Sequence, residues 1–146
     1  AVDPNARTPL ASYRGAWLLT PNTREAEALT GIEIRDLASL EKAGKLILDE
    51  THASHLVITR GKDGMALFSR ESRDRILIPT TAREVYDVSG AGDTVIAVLA
   101  LCLAQDVSLV SACVLANLAA GVEVGKRGTA TVSPDELRAA LESFAI

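Results

Sequence analysis

Short apolar runs alternate with amphipathic segments along this chain, a pattern typical of α/β proteins. Residues 16–19 and His55–Thr59 each form a short apolar run beside a polar turn, so both are expected to be buried strands. Residues 23–29 and 37–50 carry apolar side chains at helical spacing, and each is expected to form a helix with one buried face. The alternation favours a mostly parallel sheet flanked by helices.

The middle of the chain predicts a hairpin. A glycine-containing turn at 60–64 connects the strand His55–Thr59 to a second apolar run at Met65–Ser69. A further short strand is expected at 75–79, before a polar stretch that leads into a glycine-rich turn.

Three helices are expected to complete the chain. The segment 94–105 is apolar at almost every position, so this helix is expected to be buried on all sides. An alanine-rich helix follows at 107–124. The third helix begins with a serine cap at Ser133, a proline at the first helical position, and Glu136 three residues after the cap.

Composition narrows the possible classes of function. The length of 146 residues fits one domain, and 48% hydrophobic with only 3% aromatic residues predicts an aliphatic core. A net charge of -4 argues against a dedicated nucleic-acid binder, although a nest of amides can hold a nucleotide phosphate without net positive charge. No signal peptide or membrane span is indicated. Cys102 and Cys113 are expected to be buried and reduced, which fits a cytoplasmic protein.

The strongest chemical signal is the sequence Gly90-Ala91-Gly92-Asp93. Small residues let the backbone approach a ligand, and amides at the start of the following helix can hold a phosphoryl group. A carboxylate at the edge of such an anion site would repel phosphate, but it can accept a proton from an attacking hydroxyl. The alternative is an ordinary glycine turn in which Asp93 caps the helix.

The residues on either side of this turn resemble a known family motif. Residues 87–97, Asp-Val-Ser-Gly-Ala-Gly-Asp-Thr-Val-Ile-Ala, resemble the second signature of the PfkB carbohydrate kinases, usually written DTxGAGD. Two departures are mild and apolar: Val88 stands where threonine is common, and Val98 stands where alanine or glycine is usual. The resemblance covers nearly the whole chain and implies a ribokinase-like fold.

The resemblance also implies roles for the turn. Gly90, Ala91 and Gly92 would form the anion hole, and Asp93 would be the catalytic base that activates a sugar hydroxyl. ATP would be the phosphoryl donor, with Mg²⁺ as the accompanying cation.

A second motif of the same family matches at residues 20–27. Asn22 and Glu25 occupy the key positions of the family's NxxE motif, which organises the region around Mg²⁺ and the phosphates. A hard cation beside polyphosphate prefers oxygen ligands and keeps several waters. The structural alternative is a capping box, in which Asn22 and Glu25 satisfy each other's backbone amides. Both roles are compatible.

The family resemblance implies further nucleotide contacts. Thr59 and Gly61 correspond to a strand-then-glycine turn near the nucleotide, and Asn117 corresponds to an asparagine near the adenine. Without the resemblance, Thr59 and Gly61 are part of an ordinary hairpin turn. Asn117 is then a polar residue inside a helix whose side chain is satisfied by the backbone.

Many members of the family bind a monovalent cation beside the anion hole. Asp87 and Ser89 match the positions that begin this site, and backbone near Gly128 would complete it, so K⁺ is a second candidate ion.

Within the family, the chain resembles the kinase domain of bifunctional heptose 7-phosphate kinase and ADP-heptose synthase proteins. This implies ATP-dependent phosphorylation of the anomeric hydroxyl of D-glycero-D-manno-heptose 7-phosphate, for lipopolysaccharide biosynthesis. Such kinase domains are about twice this length, so residues 1–146 are expected to be the half that binds ATP and carries the base, without the sugar-binding half and lid. The alternatives are a kinase for another sugar or a nucleoside, and a non-catalytic nucleotide-binding module. The sequence does not indicate an oligomeric state.

Overall fold

The computed structural model describes residues 1–72, 74–80, 90–128 and 130–144. The chain divides into two compact units. The N-terminal unit contains residues 1–61 and 65–77, and the C-terminal unit contains residues 62–64 and 78–146.

The N-terminal unit contains the sheet and two helices. After a 3₁₀ turn at Leu10–Tyr13, its elements are, in chain order, β1 (Leu18–Leu19), α1 (Thr23–Thr30), α2 (Leu37–Thr51), β2 (His55–Thr59), β3 (Met65–Ser69) and β4 (Arg75–Ile78, whose last residue belongs to the C-terminal unit). The short 3₁₀ turn Gly61–Asp63 joins β2 to β3. These bounds confirm the predicted helices and hairpin to within one residue.

The four described strands form one sheet in the order β1-β2-β3-β4. β1 and β2 are parallel, with Leu18 opposite His55, whereas β2 and β3 form the predicted antiparallel hairpin. Val2 extends the parallel part through a bridge to Leu19. The α/β class is confirmed, and the sheet is mixed because the hairpin contributes an antiparallel pair.

An aliphatic core fills the space between this sheet and the two helices, as the composition predicts. The fully buried side chains include Leu19 and Leu56 from the strands and Leu40 and Ile47 from α2. Phe68 packs its ring over Gly44, where a Cβ atom would lie 2.7 Å from the ring edge. This glycine therefore lets α2 lie close to β3.

The C-terminal unit contains three helices: α3 (Ala91–Leu103), α4 (Leu109–Val124) and α5 (Pro134–Phe144). α4 packs against both α3 and α5. Cys102 and Cys113 are free and buried, as expected. The predicted cap of α5 is also present, since Ser133 Oγ accepts the Glu136 amide at 3.2 Å and Glu136 accepts the Ser133 amide at 2.8 Å.

Two predictions about α3 are wrong. The helix begins at Ala91 rather than at Thr94, because Gly90 in a left-handed conformation (φ 95°) lets the following residues enter the helix at once. The helix is also not buried on all sides: Leu101 is 66% exposed, and Ala97 and Ala100 lie on the same open face. Among the described residues, α3 is buried along one side, at Val95, Leu99 and Cys102.

Within the described residues, no helix is long and apolar enough to cross a membrane.

Candidate active site

In the N-terminal unit, predicted site residues meet at the carboxyl ends of two parallel strands. The chain leaves β1 through Pro21 and Asn22, and it leaves β2 at Thr59. The Thr59 amide donates to the Pro21 carbonyl at 3.0 Å, and Asn22 and Thr59 form a parallel bridge. In open α/β sheets, this end of parallel strands is where ligands bind.

Asn22 and Glu25 form the capping box of α1. Asn22 Oδ1 accepts the Glu25 amide at 2.9 Å, and Glu25 Oε2 accepts the Asn22 amide at 2.8 Å. The structural alternative for this pair is therefore confirmed. Glu25 Oε1 takes no part in these hydrogen bonds, so the carboxylate keeps an oxygen for a further donor or a cation.

Thr23 contributes a contact that the sequence did not predict. Its hydroxyl donates to the Thr59 carbonyl at 3.2 Å, which ties the first turn of α1 to the end of β2. The two residues are separated by 36 positions, so no local pattern could have indicated the pair. Together with the Thr59 amide bond, this fixes the Asn22–Glu25 helix start beside Thr59.

Gly61 follows this end of β2 with a positive φ of 54°. No described residue lies within 4 Å of the position that a Cβ would occupy. The backbone here is therefore open to a ligand from the side of the missing side chain.

In the C-terminal unit, the glycine-rich sequence forms the first turn of α3. Gly90 is the N-cap, without a side-chain hydrogen bond to the helix, and its carbonyl accepts the Thr94 amide at 2.9 Å. The amides of Ala91, Gly92 and Asp93 precede the first intrahelical bond, so they have no partner within the helix. They point along the positive end of the helix dipole, which favours an anion.

The described residues leave this turn exposed at Gly92 and Asp93. A Cβ placed on Gly92 would meet no described residue within 4 Å, and the Asp93 side chain is exposed. Asp93 is the third helical residue and not the cap. The interpretation of Asp93 as an ordinary N-cap is therefore wrong, and its carboxylate is left for another role.

Comparison with known proteins places this arrangement in a family. The model of the pfkB family of carbohydrate kinases matches residues 2–136. The chain belongs to the pfkB carbohydrate kinase family. Among curated relatives, the bifunctional protein HldE of Geobacter metallireducens is 55% identical over 136 residues, which are 93% of this chain and 27% of that protein. The chain thus spans less than a third of the length of this relative.

Solved structures show the same fold. Ribokinase from Arabidopsis thaliana, solved with ribose and ATP, superposes with a TM-score of 0.83 at 23% identity, over 92% of this chain and 43% of that one. Phosphofructokinase-2 from Escherichia coli, solved with potassium, gives 0.81 at 22% identity, over 93% and 43%. The predicted ribokinase-like fold and the resemblance to HldE kinase domains are both confirmed.

Other predicted site residues of this pfkB chain lie elsewhere. Asn117, on α4, is only 6% exposed, and its Nδ2 donates to the Pro79 carbonyl at 2.6 Å. This bond satisfies part of the side chain through backbone, as the structural alternative required. Gly128 lies in the bend after α4 with φ 72°. Asp87 and Ser89 fall outside the described residues.

Sequence reasoning also missed a buried carboxylate near the end of α4. Glu123 is 2% exposed, and among the described residues its Oε2 has no hydrogen-bond partner. A glutamate within an otherwise apolar helical segment was the sequence feature that could have indicated this buried carboxylate. No cluster of three or more metal-binding side chains occurs in the described part of the chain.

Proposed function

We propose that this chain is the ATP-binding and catalytic-base half of a sugar kinase, which transfers the γ-phosphoryl group of ATP to a sugar hydroxyl. The observation that carries the proposal is the first turn of α3. There, amides without intrahelical partners stand beside the exposed carboxylate of Asp93. Simple phosphate binding does not require this carboxylate.

In the proposed reaction, the amides of Ala91, Gly92 and Asp93 bind oxygens of the transferring phosphoryl group. They stabilise its negative charge as the bond to ADP breaks. The Asp93 carboxylate accepts the proton of the sugar hydroxyl while the new oxygen–phosphorus bond forms. The products are ADP and the phosphorylated sugar, and the proton then leaves Asp93 to solvent.

Asn22 and Glu25 fit a role beside Mg²⁺. The ion prefers oxygen ligands and keeps several waters, and Glu25 Oε1 is the oxygen that the capping box leaves over. When bound with ATP, Mg²⁺ neutralises charge on the phosphates. Glu25 and Asn22 would orient its waters rather than bind it directly, and the Thr23 and Thr59 hydrogen bonds hold them in place.

The remaining predicted contacts extend this proposal. Thr59 and Gly61 would flank the phosphates or ribose of ATP, and Asn117 would lie close to the adenine. A K⁺ ion would bind at Asp87, Ser89 and the backbone near Gly128. The phosphofructokinase-2 structure solved with potassium makes this ion a reasonable one to test.

For the acceptor, we propose the anomeric hydroxyl of D-glycero-D-manno-heptose 7-phosphate, on the path to ADP-heptose in the cytoplasm. Support comes from the 55% identity to a bifunctional HldE protein, far above the 22–23% to ribokinase and phosphofructokinase-2. The fold alone does not select the sugar, since proteins with different sugar substrates share it. A different sugar or a nucleoside is the rival acceptor.

The sugar contacts are proposed to come from the part of the kinase that this chain does not contain. Positioning both reactants supplies most of the rate enhancement in phosphoryl transfer, so the chain alone is expected to be inactive. ADP production by the isolated chain with heptose 7-phosphate, above the rate of ATP hydrolysis in buffer, would contradict this part.

The test is a substrate panel with the full-length kinase and its Asp93→Asn variant. ADP release is measured with Mg-ATP and heptose 7-phosphate, fructose 6-phosphate, ribose or adenosine. We expect turnover with the heptose alone and a loss of about 10²–10⁴-fold in Asp93→Asn, with ATP binding retained. Turnover with another sugar would discard the heptose assignment. Unchanged turnover in Asp93→Asn would discard Asp93 as the base, and no turnover at all would favour a nucleotide-binding module.

A further inference from the structure

A polar recess lies in the N-terminal unit at the amino ends of β1 and β2, which is the end opposite to Asn22 and Thr59. It has a volume of about 520 Å³. The residues that define its chemistry are Trp17, His52, Ser54, His55, Arg70 and Glu71. Four residue steps along β2, of about 3.3 Å each, separate His55 from Thr59, so the recess is about 13 Å from the proposed nucleotide end.

Backbone hydrogen bonds fix the walls of the recess. The His55 amide donates to the Trp17 carbonyl at 2.9 Å, and the Arg70 amide donates to the Ser54 carbonyl at 3.0 Å. These bonds continue the β1–β2 and β2–β3 ladders. The backbone at His55 and Arg70 is therefore fixed by the sheet.

One wall is an aromatic surface. Trp17 is 47% exposed although it directly precedes a fully buried strand, and its ring meets the His55 ring edge to face, with centroids 4.6 Å apart. A half-exposed tryptophan fixed against a neighbour offers apolar area at little cost in conformational entropy. Such surfaces bind the apolar face of a ring or carbon skeleton.

Two polar side chains of the recess have no partner among the described residues. Arg70 makes no ion pair with any described residue, so its guanidinium can bind an anion through two parallel hydrogen bonds. His55 Nδ1 is buried with no hydrogen-bond partner in the described part of the chain. Burial lowers the pKa of His55 more than nearby Glu71 raises it, so the ring is neutral at pH 7.5. The Glu71 carboxylate can accept hydrogen bonds from hydroxyl groups.

From this juxtaposition we propose that the recess is a second ligand site, for a small polyhydroxylated anion. Arg70 binds the anionic oxygens, Glu71 and Ser54 bind hydroxyl groups, and Trp17 covers the carbon skeleton. A sugar phosphate and a sugar acid share this chemistry. The site is separate from the nucleotide end, so it would act as a regulatory or sensing site.

The test uses the intrinsic fluorescence of the chain, because Trp17 is its single tryptophan. The 146-residue protein is titrated at pH 7.5 with ribose 5-phosphate, gluconate, ribose and inorganic phosphate, each to about 10 mM. We expect a saturable change in Trp17 emission with ribose 5-phosphate or gluconate, and the stronger of the two identifies the anionic group. Ribose lacks the anionic group and phosphate lacks the hydroxylated carbon skeleton. Each should therefore bind at least about tenfold more weakly.

Arg70→Gln is the diagnostic variant and Arg7→Gln is its matched control. Both positions are exposed, but only Arg70 lines the recess. Arg70→Gln should weaken binding about tenfold or more, and Arg7→Gln should leave it unchanged. The proposal is overturned if no anion gives a saturable signal, if Arg70→Gln binds as well as wild type, or if phosphate alone binds as well as the sugar anions. A blue shift of Trp17 emission that depends only on protein concentration also overturns it, because a second copy of the chain would then occupy the recess.

Discussion

Replacing Glu25 by glutamine should separate its capping role from its proposed role beside the phosphates. Glu25 Oε2 accepts the Asn22 amide at 2.8 Å, and a glutamine carbonyl oxygen can accept the same hydrogen bond. The variant therefore keeps the capping box and removes only the negative charge. Glu25→Ala removes both.

The structure bounds the cost in stability. Glu25→Ala loses one capping hydrogen bond and the favourable interaction of a carboxylate with the helix N-terminus, together about 1–2 kcal/mol. Glu25→Gln loses only the charge interaction, about 0.3–1 kcal/mol. For a chain of this size, each kcal/mol lowers the melting temperature by about 2–4 °C. Glu25→Gln should thus melt within about 4 °C of wild type.

In Glu25→Gln, turnover should be affected much more strongly than stability. If Glu25 orients the water shell of Mg²⁺, its charge matters even where the fold is intact. We expect kcat/KM of the full-length kinase to fall about 10–100-fold in Glu25→Gln, with partial recovery at high Mg²⁺ concentration. Melting is followed by circular dichroism, and turnover is followed by ADP release across a Mg²⁺ titration.

The matched control is Asp36→Asn at the capping box of α2. Asp36 Oδ1 accepts the Ser39 amide at 2.8 Å, and asparagine keeps this cap while the charge is removed. Its turnover should equal that of wild type. Full turnover of Glu25→Gln at limiting Mg²⁺ would show that Glu25 is a cap only. A Glu25→Gln variant that melts as low as Glu25→Ala would show that glutamine does not keep the capping hydrogen bond.

Three further predictions concern stability. Gly44→Ala should lower the free energy of unfolding in urea by about 1–3 kcal/mol, because its Cβ would lie 2.7 Å from Phe68 Cζ. This loss should outweigh the higher helix propensity of alanine. The additional substitution Phe68→Leu should restore part of the stability. Gly64→Ala should lower the free energy of unfolding by more than about 3 kcal/mol, because φ is +77° and the Cβ would lie 2.6 Å from the Thr80 amide nitrogen. A loss of less than about 1 kcal/mol, the lower limit for such strain, would contradict this. Hydrogen bonds from Lys126 and Ser133 lower the pKa of Glu136 from 4.5 to about 2. Its contribution is therefore complete above pH 4.5 and lost as pH falls towards 2, and Glu136→Gln should remove that part of the pH dependence of the melting temperature.

Local signals predicted most of the N-terminal unit because its elements are determined by neighbours in sequence. Asn22 and Glu25 start α1 through a capping box, and Gly31 ends it in the left-handed conformation with φ 69°. The hairpin His55–Thr59 and Met65–Ser69 followed from two apolar runs and one glycine turn. In each case the residues that set the boundary lie within four positions of it.

The start of α3 shows where such signals mislead. Gly90 caps the helix with no side-chain hydrogen bond, and Ala91 and Gly92 carry too little side chain to display a helical period. The periodic pattern therefore begins only at Thr94, three residues late. This shift matters chemically, because it moves Asp93 from a preceding turn into the first turn of the helix.

Contacts between distant positions lay beyond any sequence pattern. The Thr23 hydroxyl meets the Thr59 carbonyl across 36 positions, and the Asn117 amide meets the Pro79 carbonyl across 38. Both join the start or middle of a helix to the end of a strand. Spacing rules describe one element at a time, so they could identify these residues as polar but not pair them.

The open face of α3 has a different origin. Its hydropathy correctly indicates a helix able to bury every side, yet Leu101, Ala97 and Ala100 are exposed. Hydropathy reports what a helix can bury, whereas burial depends on what packs against it. Exposed apolar area costs about 25 cal/mol for each Å² that could have been buried, so a face of this kind is normally covered. If the rest of a sugar kinase covers this face, Leu101→Gln should leave this chain as stable as wild type but lower the melting temperature of the full-length kinase. Equal effects in both proteins would mean that the face is exposed in the complete enzyme as well.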